Sequence, residues 1–324
     1  MPTISELESV IEEELKRFAV PTAPKELYEP ITYTLQNGGK RMRPLLVLLG
    51  CKVFNADISH TIHPALGIEL FHNSTLLHDD VMDNAPLRRG QQTVHKKWDG
   101  NVAILSGHVM LVQAYREISN TRSDVLVSVL SVFNQATVEV CEGQQLDMNF
   151  EKRNDVSIDE YLNMIRLKTA VLLGASLKIG AIIGGAAEEE AEQLYQFGVN
   201  TGIAFQLQDD ILDVYGNSQK VGKQKGGDII ANKKTFLLLK AMEIATPIQQ
   251  KELKKWLADN SDDPTKKVNA ILHIYEQLNI RNAAEKRMKE YYNRAIKHLD
   301  QIEGNAAWIS VLRAFTDGLM LREH

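Results

Sequence analysis

The spacing of apolar residues constrains the fold of this chain more than any other feature of its sequence. Apolar side chains recur every three to four positions through nearly every long segment of the 324 residues, and the alternation typical of β-strands is scarce. Only nine prolines interrupt the pattern. It predicts one all-α domain over residues 1–324, an antiparallel bundle of many helices.

The pattern also indicates where the helices lie. Ser157 and Glu160 form the Ser-x-x-Glu signature of a capping box, which places a helix start there. A turn is expected at 260–264, where Asn, Ser, Asp and Pro cluster. The predicted helical segments are 4–18, 23–37, 44–54, 61–81, 102–119, 124–150, 157–183, 188–215 and most of 234–322.

Composition narrows the class of protein. Hydrophobic residues make up 44% of the chain and charged residues 24%, and the net charge of −5 gives no sign of nucleic-acid binding. The acidic N-terminus lacks the basic start of a signal peptide, and Lys178 interrupts the most apolar stretch, 171–187. We therefore expect no membrane span and a cytoplasmic protein. Cys51 and Cys141 are predicted to be buried, reduced thiols.

Two acidic clusters of the form Asp-Asp-x-x-Asp lie inside helical runs. The first and last Asp of each cluster are four residues apart on one helix face, where like charges repel and weaken the helix. One such cluster alone is usually a solvated acidic face. Two clusters with apolar flanks indicate instead carboxylates that bind Mg²⁺, which takes water and phosphate oxygens into its shell. The aspartates are Asp79, Asp80, Asp83, Asp209, Asp210 and Asp213.

Basic residues stand at particular points around these clusters. Lys40 and Arg43 open an apolar helix, where the dipole already favours anions, and are either a solvated basic turn or an anion site. His72 precedes Asp79 by two helical turns, so it is either an ordinary packed histidine or a phosphate ligand on the same face. Lys168 interrupts an apolar helix, and it either snorkels to the surface or meets an anion.

The segment 216–234 directly follows the second cluster and is rich in glycine and lysine. This composition is typical of a mobile surface loop, but its position favours a lid that closes over phosphates. The sequence lacks a Ser-His-Asp order and a glycine-rich nucleotide loop after a strand. The chemistry that fits the remaining side chains is metal-assisted handling of diphosphate groups beside an apolar cavity.

Ordered sequence blocks resemble the trans-prenyltransferases, also called polyprenyl or isoprenyl diphosphate synthases, over essentially the whole chain. The aspartate clusters contribute two of them. The other blocks are residues 38–44, His72, 87–90, 168–169, 202–206, 222–223, 227–228 and 232–233.

The resemblance implies the isoprenoid synthase fold, a helical bundle around a deep central cavity, assembled as a homodimer. It implies an Mg²⁺-dependent prenyltransferase with isopentenyl diphosphate and an allylic diphosphate as substrates. Ionisation of the allylic diphosphate, attack by isopentenyl diphosphate and loss of a proton give a product five carbons longer.

The resemblance also implies roles for individual residues. Asp79, Asp83 and Asp209 would ligate Mg²⁺, supported by Asp80, Asp210 and Asp213. The residues implied to hold the allylic diphosphate or to face the carbocation are Arg88, Lys168, Thr169, Gln206, Lys223 and Lys233. The residues implied to hold isopentenyl diphosphate are Lys40, Arg43, His72 and Arg89.

The resemblance also implies what sets product length: bulky residues upstream of the first cluster form the floor of the cavity in this family. Ser74 and Thr75 are small, whereas Phe71, eight residues before Asp79, points the same way by helical spacing. Geranylgeranyl diphosphate is therefore the predicted main product, with farnesyl or geranylfarnesyl diphosphate as alternatives. Two further alternatives are a class I terpene cyclase, which needs no isopentenyl diphosphate site, and a non-catalytic partner subunit.

Overall fold

A computed structural model describes residues 3–216, 226–258 and 263–321. Apart from a hairpin of two-residue strands, β1 (Leu87–Arg88) and β2 (Gln91–Gln92), the regular structure of these residues is helical, which confirms the all-α prediction. The first helices are α1 (Ile4–Arg17), α2 (Lys25–Gln36), α3 (Met42–Val53), α4 (Ile62–Met82), α5 (Val94–Lys97), α6 (Gly100–Ser119), α7 (Leu126–Glu151) and α8 (Ile158–Ile165). The later helices are α9 (Val171–Ile183), α10 (Glu188–Tyr215), α11 (Gly227–Ile230), α12 (Phe236–Ile244), α13 (Pro247–Leu257), α14 (Pro264–Gln277), α15 (Ile280–Leu299) and α16 (Ala306–Met320).

These helices follow the predicted segments, with two additions. A π-helical turn, Arg166–Ala170, lies between α8 and α9 where one continuous helix was expected, and a 3₁₀ turn, Ile58–Thr61, precedes α4. The capping box is confirmed, because the Ser157 hydroxyl accepts from the Glu160 N–H while the Glu160 carboxylate accepts from the Ser157 N–H. Residues 260–262 of the expected turn lie outside the described part of the chain.

The chain divides into two compact units, each drawn from separate stretches of sequence. The first unit comprises Met1–Gln135, Ala175–Tyr195 and Gln301–Leu312. The second unit comprises Ala136–Gly174, Gln196–Asp300 and Arg313–His324. Each unit holds one of the two aspartate clusters.

Glycines bring the helices of the first unit into backbone contact. A Cβ on Gly180 would lie 2.0 Å from the carbonyl oxygen of Val47, so the end of α9 packs directly on α3. A Cβ on Gly67 would lie 2.9 Å from the carbonyl oxygen of Ala114, so α4 packs equally closely on α6. This packing fixes α4, whose last turn carries the first aspartate cluster.

The second unit uses the same device around the π-helical turn. A Cβ on Gly143 of α7 would lie 2.2 Å from the Lys168 backbone nitrogen, and a Cβ on Gly202 of α10 would lie 2.6 Å from the Ala170 Cα. The turn is therefore held on both sides by backbone that only glycine can bring so close. π-Helical turns inside α-helices are frequent at functional sites.

The two cysteines differ in exposure. Cys51 is buried as predicted, but the prediction for Cys141 is wrong, because this thiol lies on the outward face of α7 near the exposed Val138. Both are free thiols. None of the described helices combines the length and the apolar character that crossing a bilayer requires.

Candidate active site

The first aspartate cluster occupies the C-terminal turn of α4. Carboxylates here face the negative end of the helix dipole as well as one another, so this turn is electrostatically unfavourable without a cation. Asp80 is buried and accepts a hydrogen bond of 2.7 Å from Arg88 Nε, while Arg88 Nη2 lies 3.5 Å from Asp79. Burial raises the pKa of Asp80, although the Arg88 charge opposes this shift.

The β1–β2 hairpin places two arginines beside this cluster. Arg88 lies in β1, and Arg89 and Gly90 form the two-residue turn with φ angles of 53° and 76°. Positive φ at both turn residues matches the twist of a tight hairpin, and Gly90 adopts it without strain. Arg89 Nη1 donates to the carbonyl of Gly38, at the turn that leads into α3.

Basic side chains from three elements meet at the start of α3. Arg43 Nη1 lies 3.0 Å from His72 Nε2, and burial, reinforced by the charge of Arg43, holds the pKa of His72 well below its usual value. His72 is therefore neutral and accepts from Arg43. Burial lowers the pKa of Arg43 to about 10, so its guanidinium remains charged at neutral pH. Lys40, three residues before Arg43 along the chain, is exposed.

The second aspartate cluster lies in the last two turns of α10. Asp210 is buried and accepts from the Tyr161 hydroxyl and, at 3.3 Å, from Gln206 Nε2. Burial, reinforced by the charge of Asp228, raises the pKa of Asp210 to about 8. Asp213 has a different environment, because its carboxylate accepts the backbone N–H of Asp228 at 3.0 Å. It thereby attaches the start of α11 to α10.

The π-helical turn brings the predicted Lys168 and Thr169 to the same region of the second unit. Lys168 Nζ forms a 2.5 Å ion pair with Asp147, and Thr169 Oγ1 lies 3.5 Å from Gln206 Oε1. Lys168 is thus half-buried, and its ammonium group is held by the Asp147 carboxylate of α7. Lys233 lies 3.6 Å from Asp228 and is more exposed. The predicted Lys223 lies outside the described residues, as does the rest of 217–225 within the 216–234 segment.

The residues predicted to set product length pack tightly in the first unit. Phe71 is 2% exposed and stands edge-on to Phe133, with ring centroids 5.5 Å apart. Ser74 and Thr75 turn their hydroxyls back to the carbonyls of Phe71 and His72, each at 2.7 Å. On this side of α4, the side chains nearer the aspartates are therefore small, with their hydroxyls hydrogen-bonded within the helix. The side chain one turn further away is aromatic.

Two residues that contact the predicted site residues were not predicted from the sequence. Tyr161 had no distinguishing signal, because a tyrosine in an amphipathic helix is usually core. Asp147 had a weak signal, since it follows Gly143 by one helical turn on the face that meets Lys168. Among the described residues, no three carboxylate, imidazole or thiolate groups converge on a preformed metal position. The donors suit a hard divalent cation that completes its shell with water and phosphate.

Comparisons with known proteins agree with this geometry. The family described as polyprenyl synthetase matches residues 24–275. A geranylgeranyl pyrophosphate synthase of Geoglobus acetivorans is 33% identical, covering 99% of this chain and 98% of its own length. A crystal structure of a geranylgeranyl pyrophosphate synthase is 43% identical, with a TM-score of 0.95 and full coverage of both chains. A polyprenyl synthase of Caulobacter crescentus, solved with calcium and isoprenyl diphosphate, is 26% identical, with a TM-score of 0.88 and coverage of 99% of this chain and 97% of its own. The chain therefore belongs to the polyprenyl synthetase family and is a short-chain prenyltransferase.

Proposed function

We propose that this prenyltransferase joins isopentenyl diphosphate to allylic diphosphates and releases mainly geranylgeranyl diphosphate. One observation supports a reaction between two diphosphate substrates. Two separate devices that suit a diphosphate lie along α4: His72, two turns before Asp79, pairs with Arg43 of α3, and the aspartate cluster begins in the last turn. A neutral histidine beside a guanidinium suits a diphosphate without metal, whereas clustered aspartates need one. A cyclase with a single diphosphate substrate has no use for the first device.

The proposed ligands of the cation are Asp79, Asp83 and Asp209, and Mg²⁺ is the proposed ion because it binds few carboxylates and retains water and phosphate ligands. When bound, the ion neutralises the negative charge of the departing diphosphate. The arrangement of Asp80 toward Arg88 and of Asp213 toward the Asp228 N–H supports their proposed role as supporting residues.

The protein groups then act at each bond change. The C–O bond of the allylic diphosphate breaks with both electrons on oxygen, and Arg88, Lys168 and Lys233 stabilise that charge. Thr169 and Gln206 present oxygen atoms to the allylic carbocation. The isopentenyl double bond supplies the electrons of the new C–C bond, and the proton that is lost passes to the released diphosphate.

The proposed assembly is a homodimer in the cytoplasm. Helix α6 exposes Ile104, Leu105 and Val112 on one face, with 41%, 55% and 60% of their surfaces accessible. Apolar side chains in such a row indicate a contact surface, and twofold pairing of identical chains is the commonest way to cover one. The free thiols of Cys51 and Cys141 fit a reducing compartment.

Chromatography of labelled products tests the proposal. Purified protein is given isopentenyl diphosphate with dimethylallyl, geranyl or farnesyl diphosphate and Mg²⁺, and a twenty-carbon diphosphate is expected from each primer. A hydrocarbon or alcohol released from farnesyl diphosphate alone would identify a cyclase instead. No turnover of any pair would favour the partner-subunit alternative, and a fifteen- or twenty-five-carbon product would correct the chain length.

A further inference from the structure

The turn that carries the proposed isopentenyl diphosphate residues is linked to α4 by a buried ion pair. Arg41 Nη1 donates to Glu69 Oε1 at 2.6 Å, and only 6% and 3% of these two side chains are exposed. Glu69 is the carboxylate whose charge reaches both Arg43 and Arg89, since it raises the pKa of each against the effect of burial.

Arg41 is held in an unusual backbone conformation. It precedes α3 with φ 44° and ψ 31°, in the left-handed region that side chains other than glycine rarely adopt. Its guanidinium offsets this strain by a second hydrogen bond, from Nη2 to the carbonyl of Leu35 at 2.5 Å. One side chain therefore joins the end of α2, the start of α3 and the middle of α4.

Glu69 is itself fixed on α4. Asn73, which is fully buried, donates from Nδ2 to Glu69 Oε1 at 2.9 Å and to the Glu69 carbonyl at 2.8 Å. The Glu69 carboxylate is therefore tied to α4 rather than to the turn. The turn is also held from outside, where the Arg89 guanidinium lies against Gly39 so closely that a Cβ there would be 2.8 Å from it.

We infer that Glu69 and Arg41 are positioning residues that hold residues 38–43 in register with α4, so that Lys40 and Arg43 converge with His72 on one diphosphate. Neither residue needs to touch substrate. The inference rests on the proposed function, because it assigns the convergence point to isopentenyl diphosphate.

The direction in which Glu69→Gln changes the KM for isopentenyl diphosphate distinguishes a positioning role from a purely electrostatic one. Glu69→Gln retains an oxygen that accepts from Arg41 and Asn73 but removes a negative charge beside an anion site. If Glu69 acted through its charge alone, the KM for isopentenyl diphosphate would fall. If it positions the turn through a strong ion pair, that KM rises, because misplacing a binding group by about 1 Å costs on the order of a hundredfold.

The experiment measures KM for both substrates, kcat and melting temperature in three variants. Glu69→Gln is expected to raise KM for isopentenyl diphosphate about tenfold or more and to leave KM for the allylic diphosphate within about twofold. The control is Glu12→Gln, which removes a half-exposed partner 3.4 Å from the same Arg41 and should change neither KM.

The third variant, Arg41→Met with Glu69→Met, removes both charges and keeps the volume. Replacing a buried ion pair by apolar side chains commonly preserves stability. Positioning predicts a near-normal melting temperature with a raised KM for isopentenyl diphosphate, whereas recovery of that KM together with stability would overturn the inference. An unchanged or lower KM for isopentenyl diphosphate in Glu69→Gln would overturn the inference as well. If the double variant does not fold, the Glu69→Gln measurement alone decides.

Failure of the proposed function is recognised separately. If wild-type protein gives no product, calorimetric binding of isopentenyl diphosphate without divalent cation replaces KM as the readout. Binding by wild-type protein that weakens about tenfold in Glu69→Gln would then support the positioning pair even though the condensation proposal had failed. Equal affinity in the two proteins would overturn it, and so would the absence of binding to wild-type protein.

Discussion

The aspartates of the two clusters are chemically identical but have different environments. Asp80 faces a guanidinium, Asp210 faces a buried phenol and an amide, and Asp213 accepts a backbone N–H that starts a helix. The three aspartates proposed as supporting residues would therefore contribute to the site in different ways. Asp80 accepts from Arg88, Asp210 would add charge when the proposed cation is bound, and Asp213 connects α10 to the start of α11.

Asp79→Ala is expected to lower kcat by about a hundredfold to a thousandfold with little change in stability. It removes a proposed ligand of the cation that would neutralise charge in the transition state, and it relieves like-charge repulsion at an unfavourable helix end. Steady-state kinetics and thermal melting check this. Glu13→Ala, at an exposed carboxylate of α1, is the matched control and should alter neither quantity. A melting temperature that falls by many degrees in Asp79→Ala would assign the residue to the fold.

Asp210 gives the metal-free protein a defined pH dependence. Its pKa is about 8 in the folded state and 3.8 for the ordinary group, so the folded protein holds one more proton between these values. Stability contributed by this proton is therefore lost as the pH rises through that window.

Substitution of this aspartate tests the dependence directly. Metal-free Asp210→Asn should unfold with a weaker dependence on pH than wild-type protein and exceed its stability at pH 8 by on the order of a few kcal/mol. Urea unfolding at pH 5, 6, 7 and 8 with a chelator provides the measurement. Parallel profiles for the two proteins would show that Asp210 ionises normally.

At the scale of elements, α4 carries several of the proposed site residues along one helix. Phe71 stands edge-on to Phe133, His72 accepts from Arg43, and the aspartate cluster begins in the last turn. Because these groups share one helix, the distance between the proposed diphosphate sites and the proposed aromatic floor is set by the rise of about 1.5 Å per residue.

That fixed distance makes product length a test of α4. Phe71→Ala removes the proposed aromatic floor one turn beyond Ser74 and should add five carbons or more to the main product. Ser74→Phe should shorten the product, because it raises the floor. Chromatography of products from farnesyl diphosphate and from geranyl diphosphate measures both effects. Unchanged length in Phe71→Ala would remove this residue as the floor.

The π-helical turn depends on close backbone contact, so Gly143→Ala should damage it selectively. The new methyl group would lie 2.2 Å from the Lys168 nitrogen, and relief requires the turn to move, which costs about 1–3 kcal/mol. Activity should fall because Lys168 and Thr169 move with the turn. Gly318→Ala, on α16 of the same unit with nothing within 4 Å, is the control and should stabilise the protein slightly. Equal effects of the two substitutions on activity and unfolding would contradict this role of Gly143.

The sequence predicted those features that depend on local pattern. Helix positions followed from apolar spacing, and the capping box at Ser157 followed from two residues. The π-helical turn and the Tyr161–Asp210 hydrogen bond could not be predicted, because both depend on which helices pack together. Cys141 was placed wrongly because short apolar flanks do not say which side of a helix faces outward.

At the scale of the whole molecule, substrate chemistry and assembly place different demands on the surface. The proposed reaction needs charge, and the two aspartate clusters lie at the C-terminal ends of α4 and α10, with Arg88 and Arg89 in the hairpin. The middle of α6 instead carries Ile104, Leu105 and Val112 outward. Helix α6 thus packs on α4 through one face and exposes aliphatic side chains on another, and this exposed face is the surface that the proposed homodimer would cover.

Leu105→Lys should therefore weaken the proposed homodimer. A charge placed in a twofold contact appears in both copies at once, so its desolvation penalty is incurred twice. Light scattering on wild-type protein should give twice the mass of one chain at micromolar concentration, and Leu105→Lys should shift it toward a single chain. Ile248→Lys, at an equally aliphatic and more exposed position on α13, is the matched control and should leave the mass unchanged. A wild-type monomer, or a dimer indifferent to Leu105→Lys, would contradict the assignment of α6 as the contact surface.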